Sequence, residues 1–237
     1  MPAFLKDITP FLGTGESNED GFTLAEFLEQ YDPYHYKNPS VTTDVIVFQH
    51  PRDFTTVESG LKLLMVKRRN HPSIGYWALP GGFVNVEEDL EVAAKRELEE
   101  ETGLKNISIE MVNTYGEADR DPRSRIITSS YVALVEDTEE VRAGDDAADA
   151  CFVDVTLKSL PAREEERNGK ARVVEQYSIL LTNEEKGLHL SGEVEKSYNK
   201  EGLLKETVYR VLTSEKIAFD HPRFIVEALL YVNGLLK

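Results

Sequence analysis

A chain of 237 residues, 41% hydrophobic and 30% charged, is long enough to bury a full core as one large domain or two small ones. Its formal net charge of −16 counts against two polyanions, nucleic acid and anionic membrane, as partners, and no stretch approaches the roughly 18 apolar residues of a membrane span. One cysteine, Cys151, permits no internal disulfide and suits a reducing compartment; set between Ala150 and Phe152, it reads as a small buried hydrophobe.

Residues 1–40 read as an N-terminal extension. Met1 to Thr14 holds one lysine and neither a long apolar run nor a cleavage-site pattern, so no signal peptide is expected and a cytoplasmic protein is. After an irregular lead-in over residues 1–22, Thr23 can cap a short helix, Leu24 to Tyr31, which Asp32-Pro33 ends. Strands are predicted at Val41 to Phe48 and Leu61 to Lys67, and a loop through Asn70, Pro72 and Gly75 leads to Tyr76-Trp77-Ala78-Leu79-Pro80-Gly81-Gly82. From Glu88 to Thr102 the period turns helical. Leu90, Ala94 and Leu98 recur every four residues as a buried stripe, and Gly103 takes the left-handed position after the last turn.

Further strands are expected at Ile107 to Val112, Ile126 to Val135 and Ala150 to Val155. Residues 161–215 begin with a charged stretch, AREEERNGKAR, and then alternate over Val173 to Leu181, Leu188 to Lys196 and Glu206 to Thr213. That pattern predicts an inserted antiparallel hairpin or three-stranded meander. A last helix is expected from Arg223 to Asn233, with Asp220 as its cap, His221 capping or packing it, and Pro222 near the first turn.

The chemistry is concentrated in GFVNVEEDLEVAAKRELEEETGL, Gly82 to Leu104. Glu97, Glu100 and Glu101 stand at i, i+3 and i+4, so their carboxylates share one helical face, away from the apolar stripe. Like charges so placed destabilise a helix by roughly 0.2–0.5 kcal/mol per pair. A hard divalent cation reverses that sign, and oxygen ligands with room for water and phosphate suit Mg²⁺ or Mn²⁺. Arg96, beside Glu97, can hold one carboxylate as a fork. On composition alone, the alternative is a solvated acidic face.

Gly82, Glu88, Arg96, Glu97, Leu98, Glu100, Glu101, Gly103 and Leu104 together match the pattern G-x5-E-x7-R-E-U-x-E-E-x-G-U at every defined position. The chain therefore resembles the Nudix hydrolases, over residues 41–157 and again from Ile217 onward. The resemblance implies an α/β fold, an α/β/α sandwich with a mixed sheet, in which residues 41–237 form one domain carrying the β insertion. It implies metal ligands at Glu100, Glu101 and the Gly81 carbonyl, with Glu97 a further ligand or the base that orients the attacking water. Glu88 and Arg96 then brace the helix. The implied reaction is attack of water on a diphosphate that joins a nucleoside to another group.

Two flanking segments bear on the substrate. Residues 116–125 place Arg120, Arg123 and Arg125 beside acids, either as forks for phosphate or as an ordinary charged loop. Arg68, near the end of a strand, is placed to reach phosphate or to be solvated, and Trp77 is either core packing or a base-stacking platform. The string Arg120-Asp121-Pro122-Arg123, with residues 143–147 and Ala218-Phe219-Asp220-His221, resembles the Nudix branch of ADP-ribose pyrophosphatases and related regulators of NAD metabolism. That implies ADP-ribose as the first substrate, AMP and ribose 5-phosphate as products, and one more acidic metal ligand at Asp145 or Asp146. The expected partner is a small-molecule nucleotide, and exposed hairpin edges admit a homodimer. An ADP-ribose-sensing transcriptional regulator is the second reading and a non-catalytic nucleotide-binding module the third. Residues 161–215, read as strands without a basic stripe, speak against a DNA-reading winged helix.

Overall fold

The computed structural model describes residues 4–58, 60–136, 141 and 147–236, in two compact units, Met1–Pro39 and Ser40–Lys237. In the first unit Thr23 opens helix α1 (Leu24–Gln30) with a capping box: its hydroxyl accepts from the Glu26 amide, and the Glu26 carboxylate accepts from the Thr23 amide at 2.9 Å. Helix α1 buries none of its residues. Among the described residues no helix is long and apolar enough to cross a membrane.

The second unit runs β1 (Ser40–His50), β2 (Lys62–Arg68), β3 (Trp77–Ala78), β4 (Gly81–Phe83), α2 (Leu90–Thr102), β5 (Glu110–Tyr115), β6 (Ile126–Glu136) and β7 (Ala147–Ser159). It continues with β8 (Arg163–Arg167), β9 (Lys170–Asn183), β10 (Leu188–Asn199), β11 (Val208–Glu215) and α3 (His221–Leu235). The strands form one mixed sheet in the order β11-β10-β9-β7-β2-β1-β6-β5, with β3 on β2, β4 on β1 and β8 on β9. The β1–β6 pair is parallel, and the other pairs among named strands are antiparallel.

Strand β1 shows why the sheet takes a helix on each face. Its side chains alternate, so Ile46 and Phe48 join the core containing Phe224, Ile225, Ala228 and Leu229 of α3, while Val45 and Val47 join the core containing Ala94 and Leu98 of α2. The result is an α/β/α sandwich, as the resemblance implied. The extra strands near the C-terminus are not a separate appendage: β9 pairs with β7, so β8–β11 extend the central sheet itself. The charged run at 163–167, to which the sequence assigns no element, is strand β8 on β9.

Two expectations are corrected here. The strand expected at Ile107 to Val112 lies at Glu110–Tyr115, because Ile107 and Ile109 pack beside the α2 core before the ladder begins. Asp220 occupies the position before α3, but its side chain makes no capping bond; both carboxylate oxygens accept from Arg120.

Candidate active site

The site is assembled by close approach of β1, β4 and α2. Gly81 lies opposite Asp44 and Gly82 opposite Thr43. A Cβ at Gly81 would overlap the Thr43 carbonyl oxygen, so that position demands glycine, and one at Gly82 would displace the Glu97 carboxylate from where it stands. Helix α2 ends at Gly103, whose φ of 78° lets its amide donate to the Glu99 carbonyl at 2.8 Å.

Arg96 ties this loop–helix arrangement together. Its Nε and Nη2 donate to the two oxygens of Glu88 at 2.8 Å each, its Nη1 donates to Glu97 at 2.7 Å and to Glu100 at 3.1 Å, and Nη2 also reaches the Phe83 carbonyl at 3.1 Å. The fork pulls the Glu88 carboxyl down to about 2. Burial has the opposite effect on the acids facing inward. It raises Glu97, and it pushes Glu101 up to about 7 although the Gly81 amide donates to Glu101 at 3.0 Å.

These groups line one cleft of about 260 Å³. Asp44, Thr42 and Thr128 from β1 and β6 line it with Gly81, Gly82, Phe83, Glu97 and Glu101, and Arg68, Arg120, Asp121, Arg123, Phe219 and His221 complete it. Burial pushes Asp44 up to about 7, with Arg120 working against the rise. Arg120 is locked: its Nε and Nη2 donate to Asp220 at 3.1 and 2.8 Å, and its Nη1 donates to Thr128 at 2.9 Å. His221 is buried, and its Nδ1 accepts from the Leu79 amide at 3.0 Å, so it packs the start of α3 against β3–β4.

Of the residues singled out in the sequence, Gly81, Glu97, Glu101, Arg68, Arg120 and Arg123 meet on this cleft. Glu88 and Arg96 stand behind it, and Glu100, with its side chain 58% exposed, turns to Arg96 instead. Two proposed binding residues are not brought to it. Trp77 is 4% exposed within the core, which removes the stacking platform, and Arg125 donates to the carbonyls of Gly116 and Glu117 at 2.5 and 2.8 Å, bracing its own loop. Asp145 and Asp146 lie outside the described residues. Sequence reasoning missed Asp44, Thr42 and Thr128, and it quoted Phe219 only within Ala218-Phe219-Asp220-His221, with no role of its own. The one signal for Asp44 was an acid directly before the apolar run Val45 to Phe48.

As the side chains stand, no three acidic, histidine or cysteine groups among the described residues converge as a metal site. The reason is local: Arg96 takes Glu97 and Glu100, and the Gly81 amide takes Glu101. The donor chemistry nevertheless fits a hard divalent cation. Asp44, Glu97 and Glu101 are all oxygen donors on one cleft, and each of Asp44 and Glu97 raises the proton affinity of Glu101 by its own charge.

The class follows from the fold, this loop–helix arrangement and a family-wide match: the model of the NUDIX domain fits residues 23–177, and the chain belongs to the Nudix family. Among particular relatives, the ADP-ribose pyrophosphatase of Methanocaldococcus jannaschii is 40% identical over 126 residues, covering 53% of this chain and 67% of that one. The ADPR responsive transcriptional repressor NtrR of Acinetobacter baylyi is 41% identical over 112 residues, covering 46% of this chain. The chain spans only 42% of the repressor's length. In structure, a MutT/nudix family protein from Enterococcus faecalis superposes with a TM-score of 0.61 at 32% identity, over 89% of this chain and 70% of that one.

Proposed function

We propose that this chain is a divalent-metal-dependent hydrolase of nucleoside diphosphates linked to a second group, with ADP-ribose as the first substrate and AMP and ribose 5-phosphate as products. The observation that carries the reading is one cleft with an acidic wall, Asp44, Glu97 and Glu101, and a cationic wall, Arg68, Arg120 and Arg123. A diphosphate is the kind of ligand that needs both, since its charge is met by guanidinium forks on one side and by a cation held on carboxylates on the other. The pyrophosphatase relative, 40% identical over 126 residues, supports the choice of ADP-ribose.

Glu97, Glu101, Glu100 and the Gly81 carbonyl would hold Mg²⁺ or Mn²⁺, Glu100 after leaving its contact with Arg96. The bound cation supplies Lewis acidity toward the phosphate oxygens and a nucleophilic water at neutral pH. Arg96 and Glu88 fix the helix against the Phe83 carbonyl so that Glu97 keeps its aim, and Glu97 is the residue placed to ligate or to take the proton from the attacking water. Arg68 and Arg123 bind and orient the diphosphate. Residues 41–237 act as one catalytic domain with the 161–215 strands built into its sheet, and residues 1–40 are an extension to it.

Purified protein given ADP-ribose and Mg²⁺ should release AMP, and both chelation by EDTA and Glu100→Gln should abolish release. The repressor relative, at 41% identity, makes sensing without turnover the second reading. Tight ADP-ribose binding with no AMP released under these conditions would select it.

A further inference from the structure

Phe219 is the aromatic residue among the described non-glycine positions held at positive φ, 52°. A bulky side chain occupies that region only when its surroundings impose it, and such outliers gather at functional sites. Here the turn is pinned from both ends. The Trp77 amide donates to the Lys216 carbonyl at 2.9 Å, the Ala218 amide to the Trp77 carbonyl at 2.8 Å, and the Arg223 amide to the Asp220 carbonyl at 2.9 Å. The ring packs against the small cluster Val66, Ala78, Ala150 and Ala218, and it also lines the cleft.

Two guanidiniums from different elements share that ring. Arg68, at the end of β2, lies 4.9 Å from its centroid, and Arg123, from the β5–β6 connection, lies 5.8 Å away, between this ring and that of Phe83 at 5.3 Å. Each is anchored by an oxygen acceptor: Arg68 Nε donates to the Pro72 carbonyl at 2.7 Å, and Arg123 donates to both oxygens of Asp121 at 3.0 and 2.8 Å. Two like charges brought this close repel, and the Arg123 charge adds to burial in holding Arg68 below the ordinary arginine value. Attraction of each cation to the ring face offsets part of that repulsion. A strained aromatic that gathers two cations beside a bank of carboxylates does more than pack against Val66, Ala78, Ala150 and Ala218.

We propose that Phe219 is a positioning residue for the diphosphate: its ring holds Arg68 and Arg123 side by side as a two-guanidinium clamp facing the carboxylates of α2. The inference rests on the diphosphate reading given above and adds to it the residue that sets the clamp.

The test compares two ligands by calorimetry with Mg²⁺ present: methylenediphosphonate, which has no nucleoside, and the non-hydrolysable α,β-methylene analogue of ADP-ribose. Phe219→Leu should weaken both by the same factor, about tenfold. With ADP-ribose it should raise KM while leaving kcat nearly unchanged, and Phe219→Tyr, which keeps the ring face, should restore KM. Phe219→Leu combined with Arg123→Met should lose little beyond Arg123→Met alone, since both changes break one clamp. A loss confined to the nucleoside-bearing analogue would show the ring stacking on the base, and would overturn the clamp. So would unchanged affinities for both ligands in Phe219→Leu, or no recovery in Phe219→Tyr. Wild-type protein that binds neither ligand would remove the diphosphate reading itself, an outcome distinct from wild-type binding that is indifferent to Phe219.

Discussion

Helix α2 and the β8–β10 extension both gather arginine and glutamate, in different ratios. Around α2 a single guanidinium, Arg96, serves Glu88, Glu97 and Glu100 at 2.7–3.1 Å, while Glu101 accepts from the Gly81 amide at 3.0 Å and feels Arg68 through its charge alone among the described residues. On β8–β10 two arginines meet two acids: Arg163 and Arg167 donate to the buried Glu195 at 3.1 and 2.9 Å, and both also lie against Glu165. The first cluster carries surplus negative charge into a cleft, and the second closes on itself. A compensated cluster reads as structure. An uncompensated, partly desolvated one asks for a cation that the chain does not supply.

The sharpest way to break this contrast is to neutralise one acid in each cluster. Glu101→Gln should lower kcat on the order of 10³-fold, the scale of removing one group that stabilises transition-state charge. The same change should raise the thermal midpoint measured without divalent cation, because it removes a carboxylate whose ionised form is disfavoured first by burial and then by the charges of Glu97 and Asp44. A midpoint that falls instead would mean that Glu101 is a structural acid like Glu195.

Glu195→Gln should behave in the opposite sense. It leaves Arg163 and Arg167 short of a carboxylate beside a side chain only 8% exposed. The cost should be about 1–2 kcal/mol in urea unfolding, discounted because the two guanidiniums are 49% and 32% exposed and partly solvated. Turnover should not change, since β9, β7 and β2 lie between β10 and β1 in the sheet. A loss of kcat with no loss of stability would tie the extension to the chemistry and erase the distinction.

The same contrast explains what the sequence disclosed. The α2 cluster was legible because helical geometry fixes which side chains share a face, so Glu97, Glu100 and Glu101 follow from spacing alone. Their division of labour was not, because Arg96 chooses among its neighbours through contacts with Phe83 and Glu88 that lie outside that spacing. Strands β1, β2, β6, β9 and β10 were visible as apolar or alternating runs, whereas β3 and β4 are two and three residues long and exist only by pairing with β2 and β1. Strand β8, REEER, has no apolar period to read. The cationic wall was half legible for a related reason. Arg120, Arg123 and Arg125 look alike in the chain, but Asp220, one hundred residues from Arg120, takes the first, while the Gly116 and Glu117 carbonyls take the third. The chemistry of Trp77 allows either core packing or base stacking, and its burial at 4% exposure selects the first.

His221 offers a third kind of balance, and the smallest of the expected effects. It lines the cleft and is buried, yet it is kept neutral: burial, helped by the charges of Arg120 and Arg68, pulls it from its ordinary 6.5 to about 3. Asp44, with its carboxylate 3.7 Å from His221 Nε2, is pushed up to about 7 by burial and is largely protonated below that, so it gives an imidazolium no counter-charge. Between 6.5 and about 3 the unfolded chain therefore binds a proton that the folded protein refuses. Stability from this residue rises with pH across that window and is lost as pH falls below 6.5. His221→Gln removes the refusal and keeps an acceptor for the Leu79 amide. Relative to wild type, the variant should be less stable at about pH 7.5 and should regain about 1.4 kcal/mol by about pH 5.5, one unit below the ordinary histidine value. Chemical denaturation of the two proteins at both pH values measures the difference, and cancels the changes in carboxylates that do not approach residue 221 as Asp44 does. Parallel curves would mean that His221 takes up a proton in the folded cleft, and that a carboxylate there is ionised to meet it.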